Sequence, residues 1–139
     1  MAVHFFSADR PIPLRDRNRL KAFLNSLVRK EGRRLDDLNV IFCSDEYLLQ
    51  VNRQYLNHDY YTDIITFDIT EVPGKLSGEM YISTDRVREN ARQLGQTIGR
   101  EMHRVVFHGV LHLCGYADKT QAQQLAMRQR EDHYLRQYS

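Results

Sequence analysis

Cysteine is scarce in this chain, with only Cys43 and Cys114 among 139 residues. Both sit among apolar neighbours. Two such residues do not make a disulfide framework and are expected to be reduced core thiols. Long apolar runs are missing too, since none approaches the roughly 20 residues that a bilayer-spanning helix needs. Residues 1–7 lack a basic start followed by a long apolar stretch, so no secretory signal is expected. The expected compartment is the cytoplasm, with no membrane partner. Charge of one sign is not in excess: the formal net charge is +2, which does not by itself announce nucleic acid. Repeats, low-complexity segments and linkers are absent. Hydrophobic residues at 42% and charged residues at 27% are ordinary for a globular chain, and the length suits one domain over residues 1–139.

Apolar periodicity outlines the scaffold. Residues 2–7 alternate weakly and predict an edge strand. Leu20, Phe23, Leu24, Leu27 and Val28 repeat at helical spacing within residues 14–31, and Gly32 closes that helix. A short strand is expected over 38–43, followed by a helix capped by Ser44 and running to about residue 55. Residues 64–70 are rich in β-branched and aromatic side chains. They predict a strand, paired through a turn at Val72-Pro73-Gly74-Lys75 with a returning strand at 78–83. Ser83 or Thr84 caps a helix that Gly95 ends. A long helix over 97–114 buries Val105, Val106, Val110 and Leu113, and Thr120 caps a last helix to about residue 137. The order predicts an α+β fold: a single domain with a small mixed β-sheet, packed helices and one helix that binds metal.

That helix carries the most specific pattern in the chain, His108-Gly109-Val110-Leu111-His112-Leu113-Cys114-Gly115-Tyr116-Ala117-Asp118. Residues four apart lie about one helical turn apart, so His108 and His112 project from one face and can meet one metal ion. Gly115 suits the left-handed position that ends a helix, and beyond it Asp118 can fold back as a third, oxygen ligand. Three protein ligands leave a position for water, the arrangement of a catalytic zinc. A plainer reading also exists: a half-buried histidine pair bonded to backbone and water. Gly109 inside the helix points to something approaching its backbone closely. Cys114 lies about 200° around the helix from His112 and belongs to the core.

The stretch resembles the signature of the YbeY family of single-strand-specific metallo-endoribonucleases, His-Gly-x-Leu-His-Leu-x-Gly-Tyr-Asp-His. It fits from His108 to Tyr116 and departs at Ala117-Asp118, where Asp118 takes the place of the third histidine. Two further blocks resemble the same family in the same order. One runs from Val51-Asn52-Arg53-Gln54-Tyr55-Leu56 to Thr62-Asp63-Ile64-Ile65-Thr66-Phe67, and the other is Gly78-Glu79-Met80-Tyr81-Ile82-Ser83. The family's arginine after the tyrosine aligns with Leu56, and Arg53 is the nearest substitute. The resemblance implies a zinc-dependent endoribonuclease with one Zn2+ per chain. An oxygen ligand leaves room for another divalent metal. The implied partners are single-stranded RNA, ribosomal RNA in particular, and ribosomal proteins. The implied roles are maturation of the 16S ribosomal RNA 3′ end and ribosome quality control.

The expected metal ligands are therefore His108, His112 and Asp118, with His108, His112 and Asp63 in the chemistry and Asn52 and Arg53 holding substrate. Asp63 has an equally ordinary alternative as a turn acid bonded to backbone amides. Glu79 could orient a histidine or be a surface acid. Tyr60 and Tyr61 could stack on bases or simply pack, and His58 reads as an exposed loop residue. Arginines cluster at 29–34, 86–92 and 100–104, a pattern equally typical of solvated helix faces. No glutamate follows His108, so the base of His-Glu-x-x-His peptidases is missing. Two rivals to RNA cleavage remain: metal-dependent hydrolysis of another substrate, and non-catalytic binding to the ribosome.

Overall fold

A computed structural model describes residues 2–139; Met1 lies outside the described residues. Nine elements follow one another: β1 (Val3–Ser7), α1 (Arg17–Lys30), β2 (Arg34–Cys43), α2 (Asp45–Leu56), β3 (Ile64–Asp68), β4 (Lys75–Ser83), α3 (Thr84–Leu94), α4 (Ile98–Leu113) and α5 (Gln121–Tyr138). The sheet is mixed, in the order β1-β2-β4-β3. β1 and β2 run parallel, β2 and β4 run parallel, and β3 pairs antiparallel with β4, Ile64 opposite Ile82.

Local chemistry explains the boundaries. Ser44, Ser83, Thr97 and Thr120 each accept a backbone N–H in the first turn of the helix they begin, and Thr120 forms a capping box with Gln123. α1 starts later than its apolar pattern predicts because Asp16 stands in the left-handed region at φ 50°, which breaks the helix before Arg17. Leu14 is nevertheless buried, as a loop residue. β2 and β4 both begin earlier than their apolar residues predict. Arg34 pairs with Lys75 and a bulge follows between Leu35 and Asp37, so backbone pairing carries the strands past the core into polar sequence. β3 ends early because Asp68 turns to accept the Thr70 N–H at 3.0 Å.

Side chains alternate across the sheet. Val3, Leu38, Val40, Phe42, Leu76, Met80 and Ile82 join α1, α3, α4 and α5 in the principal core. The opposite face puts Ile65, Phe67 and Tyr81 with Cys43 under Leu48 and Val51 of α2. Cys43 and Cys114 are free thiols; burial pushes them up to about 12 and about 11. Among the described residues, no helix is long and apolar enough to cross a membrane.

α4 crosses the β3–β4 hairpin at very short range. A Cβ on Gly109 would lie 2.6 Å from both Ile64 Cδ1 and Met80 Sδ, and one on Gly78 would lie 2.6 Å from Leu113 Cδ1. The close approach inferred from Gly109 is therefore the sheet itself. Helix propensity alone makes Gly→Ala favourable by about 1 kcal/mol. At Gly109 the methyl meets occupied space, and overpacking of about 1–3 kcal/mol reverses the sign. Gly99, in the first turn of the same helix, has nothing within 4 Å of a built Cβ. Urea unfolding is expected to show Gly109→Ala destabilised and Gly99→Ala stabilised by about 0.5 kcal/mol.

Candidate functional site

The C-terminus of α4 builds the site. Tyr116 N–H donates to Leu111 C=O at 3.1 Å and Gly115 N–H to His112 C=O at 3.0 Å, with Gly115 at φ +115°. This is the Schellman arrangement, for which a glycine carries no Cβ penalty. It reverses the chain so that the Tyr116 carbonyl accepts His112 Nδ1 at 3.0 Å and Asp118 returns over the helix to His108. Arg33 donates to the Leu113 carbonyl at 2.8 Å, and Gln124 donates to the Asp118 carbonyl at 3.1 Å. The returning loop is thus tied at both ends.

His108 lies between two carboxylates. Its Nδ1 donates to Glu131 Oε2 at 2.7 Å, and its Nε2 faces Asp118 Oδ2 at 3.4 Å. Burial disfavours the charged ring, but the hydrogen bond and charge of Glu131, joined by Asp63 and Asp118, outweigh it and raise its pKa. With Nδ1 donating, neutral Nε2 and the Asp118 carboxylate are two acceptors face to face, which attract a shared proton or cation. Two ligands on a tetrahedral ion with bonds of about 2.0–2.1 Å stand roughly 3.3 Å apart, so this pair fits a metal. His112 likewise has Nδ1 anchored and Nε2 unengaged by that bond, the pattern of metal-binding histidines. It does not close onto the pair, however. Among the described residues, no three His, Cys, Asp or Glu side chains are arranged to hold one metal ion as they stand.

The pair divides two open clefts. One, of about 320 Å³, is lined by His108, His112 and Asp118 with Asn52, Leu56, His58, Tyr60 and Lys119. The other, of about 420 Å³, is lined by His108 and Asp118 with Asp63, Glu101, Arg104, Arg128 and Glu131. Asp63 thus joins the histidine. Burial raises its pKa, with the charge of His108 opposing. Its carbonyl also accepts Ser83 N–H at 2.9 Å, so its backbone is structural while its side chain is at the site.

The other expected residues divide between the cleft wall and the surface away from it. Arg53 lines neither cleft and is ion-paired with Asp59 on the surface. Asn52 and Leu56 share the face of α2 that lines the cleft, and Arg53 is about 100° around from Asn52. Asn52 does reach the cleft wall, yet it is 1% exposed and donates to the Tyr60 carbonyl at 3.0 Å, holding the loop. Glu79 cannot orient a histidine. Gly78 and Met80 face α4, so strand alternation turns Glu79 to the other face, beside Tyr81. His58 stacks on Tyr60 and shares a 3.0 Å hydrogen bond with its hydroxyl. Tyr61 is packed under the Arg86 guanidinium, 5.3 Å from its ring centroid.

Sequence reasoning missed Glu131, Glu101 and Lys119. Glu131 lies on the stripe Met127, Glu131, Tyr134, Leu135, Tyr138 that α5 buries, but polar residues interleave with that stripe in sequence and nothing local marks it. Arg104 holds it at 3.0 Å while also pairing with Asp132 at 2.9 Å and Glu101 at 3.7 Å.

A buried helix that presents histidines to open clefts beside carboxylates, packed on a small mixed sheet, defines the class as an α+β protein with a candidate metal centre. The profile of the family described as Endoribonuclease YbeY matches residues 7–139. Endoribonuclease YbeY of Cytophaga hutchinsonii is 52% identical over 133 residues, covering 96% of this chain and 93% of that one. The same enzyme of Parabacteroides distasonis is 42% identical over 135 residues, covering 97% and 94%. The solution structure of TM1509 from Thermotoga maritima superposes with a TM-score of 0.65 at 27% identity, covering 98% of this chain and 88% of that one. The chain belongs to the YbeY family of endoribonucleases.

Removing Arg104 takes the paired guanidinium from buried Glu101 and leaves Glu131 only His108 and a 3.7 Å contact with Arg128; breaking such a buried pair costs about 3–5 kcal/mol. Glu101 is 4% exposed, and burial already holds its carboxyl above the usual range against the pull of Arg104. A raised folded pKa means the penalty is full above that pKa and fades as falling pH protonates the group. Denaturation of Arg104→Met is expected to show a deficit of that size at neutral pH that shrinks in mild acid.

Proposed function

We propose that this protein is a metal-dependent endoribonuclease of single-stranded RNA whose ion is held by His108, His112 and Asp118. The observation that carries the metal site is the 3.4 Å facing of His108 Nε2 and Asp118 Oδ2 on the wall shared with His112. Family membership supports RNA cleavage. Zinc suits two imidazoles and one carboxylate, and the oxygen ligand also admits a harder divalent ion. When bound, such an ion supplies Lewis acidity toward a phosphoryl oxygen and acidifies water.

The chain's own groups do the rest. Glu131 and the Tyr116 carbonyl aim the two rings. Asp63, made more basic by burial, is the group we assign to accept the proton of attacking water. Lys119 offers a cation on the cleft wall where Arg53 does not. The exposed Tyr60 ring offers a surface on which a base can stack. Family membership also supports action in the cytoplasm on ribosomal RNA, at the 16S RNA 3′ end and in ribosome quality control, alongside ribosomal proteins.

One observation favours a second reading. Glu131 and Asp118 flank His108, so an imidazolium ion-paired to both would need no metal, which suits a non-catalytic binding protein. Elemental analysis of protein purified without a metal-affinity tag separates the two. The expected result is about one divalent ion per chain, lost in His112→Ala, together with cleavage of single-stranded RNA abolished by chelator. Asp63→Asn is expected to lower kcat by about 100-fold or more with KM little changed. A folded protein that neither contains nor takes up metal would leave the binding reading in place.

A further inference from the structure

The two histidines are supported differently. His112 Nδ1 rests on a neutral main-chain carbonyl, whereas His108 Nδ1 rests on a carboxylate that is 5% exposed. The oxygens of Glu131 divide their work: Oε2 takes the imidazole at 2.7 Å and Oε1 takes Arg104 at 3.0 Å. Arg104 stands one turn before His108 on α4 and bonds Asp132, the neighbour of Glu131 on α5, at 2.9 Å. The guanidinium therefore holds the carboxylate in position. A charged acceptor at Nδ1 fixes the Nδ1–H tautomer and makes Nε2 a stronger donor to a cation. No feature of the α4 motif contains this information, because the acid comes from another helix.

We infer that Glu131, clamped by Arg104, is a positioning residue that sets the tautomer and ligand strength of His108. The inference rests on the proposed metal site and adds a group that touches neither ion nor substrate. It predicts that the charge of Glu131 matters apart from its packing. Glu131→Gln keeps the size and an acceptor oxygen but removes the charge. Glu131→Ala removes both. Tyr134→Phe, on the same buried face of α5, loses a hydroxyl bonded to Glu31 and serves as the control for general loosening of that helix.

Two readouts test it. The first is zinc affinity, measured by competition with a chromophoric chelator. Glu131→Ala is expected to bind about 10–100-fold more weakly, Glu131→Gln less severely so, and Tyr134→Phe as the wild type. The second is the 15N spectrum of the metal-free protein at a pH where the ring is neutral. Wild-type His108 is expected as the Nδ1–H tautomer, shifting toward Nε2–H in Glu131→Ala. Wild-type zinc binding with unchanged affinity in both Glu131 variants would overturn this inference alone, as would a wild-type Nε2–H tautomer. A wild type that takes up no zinc would overturn the metal site and this inference with it. Should Glu131→Ala fail to fold, Glu131→Gln and the wild-type tautomer still decide.

Discussion

The site depends on how closely α4 lies on the β3–β4 hairpin. Two glycines, Gly109 on the helix and Gly78 on the strand, remove the side chains that would hold the elements apart, and Met80, Ile64 and Leu113 fill the space. The histidines occupy the flank of the same helix. Their height above the sheet, and so their distance from Asp63 at the start of β3, is set by this apolar contact rather than by any polar one. Close packing transmits small volume changes. A methyl group at Gly109, one residue from His108, therefore acts on the site without touching its chemistry.

The polar half of the site is costly by contrast. Glu101 and Glu131 are buried at 4% and 5% exposure, and Arg104 is the guanidinium that pairs with both. Glu101 Oε1 has no hydrogen-bond partner. Apolar residues of equal volume would be expected to stabilise such a cluster, so its presence beside His108 is better understood through what it does to the imidazole. The apolar contact sets where α4 lies. The charged cluster sets how one of its side chains is protonated.

Much of this was legible in the sequence, for local reasons. Caps at Ser44, Ser83 and Thr120 and the reversal at Gly115 involve residues only a few positions apart, and the chain order of strands and helices follows from them. The joining of His108 with Asp118 also follows from a short-range motif. Arg53, Glu79 and Glu131 required knowledge of direction. Arg53 is one residue from Asn52, but that step turns it off the cleft. Glu79 is one residue from Met80, but that step puts it through the sheet. Glu131 lies far along the chain from the motif, in a helix whose polar composition hides its buried stripe. In each case the deciding quantity was which face a neighbouring element covers, a tertiary fact that local pattern does not contain. Likewise the extra length of β2 and β4 comes from backbone pairing between segments distant in sequence.

The placement of the clefts bears on the kind of bond the centre could cut. An enzyme that attacks inside a chain must leave room for the polymer on both sides of the reacting group, whereas one that trims ends can close one side. Here His108 and Asp118 line both clefts, and each cleft is open. The two sides are not equivalent. The side of Tyr60 and Lys119 pairs an exposed ring with a cation, which suits base and phosphate. The side of Asp63, Glu101 and Glu131 carries carboxylates tempered by Arg104 and Arg128, which repel phosphate unless those arginines or a divalent ion screen them. The acidic side is thus the poorer surface for phosphate, and the side of Tyr60 and Lys119 the better one.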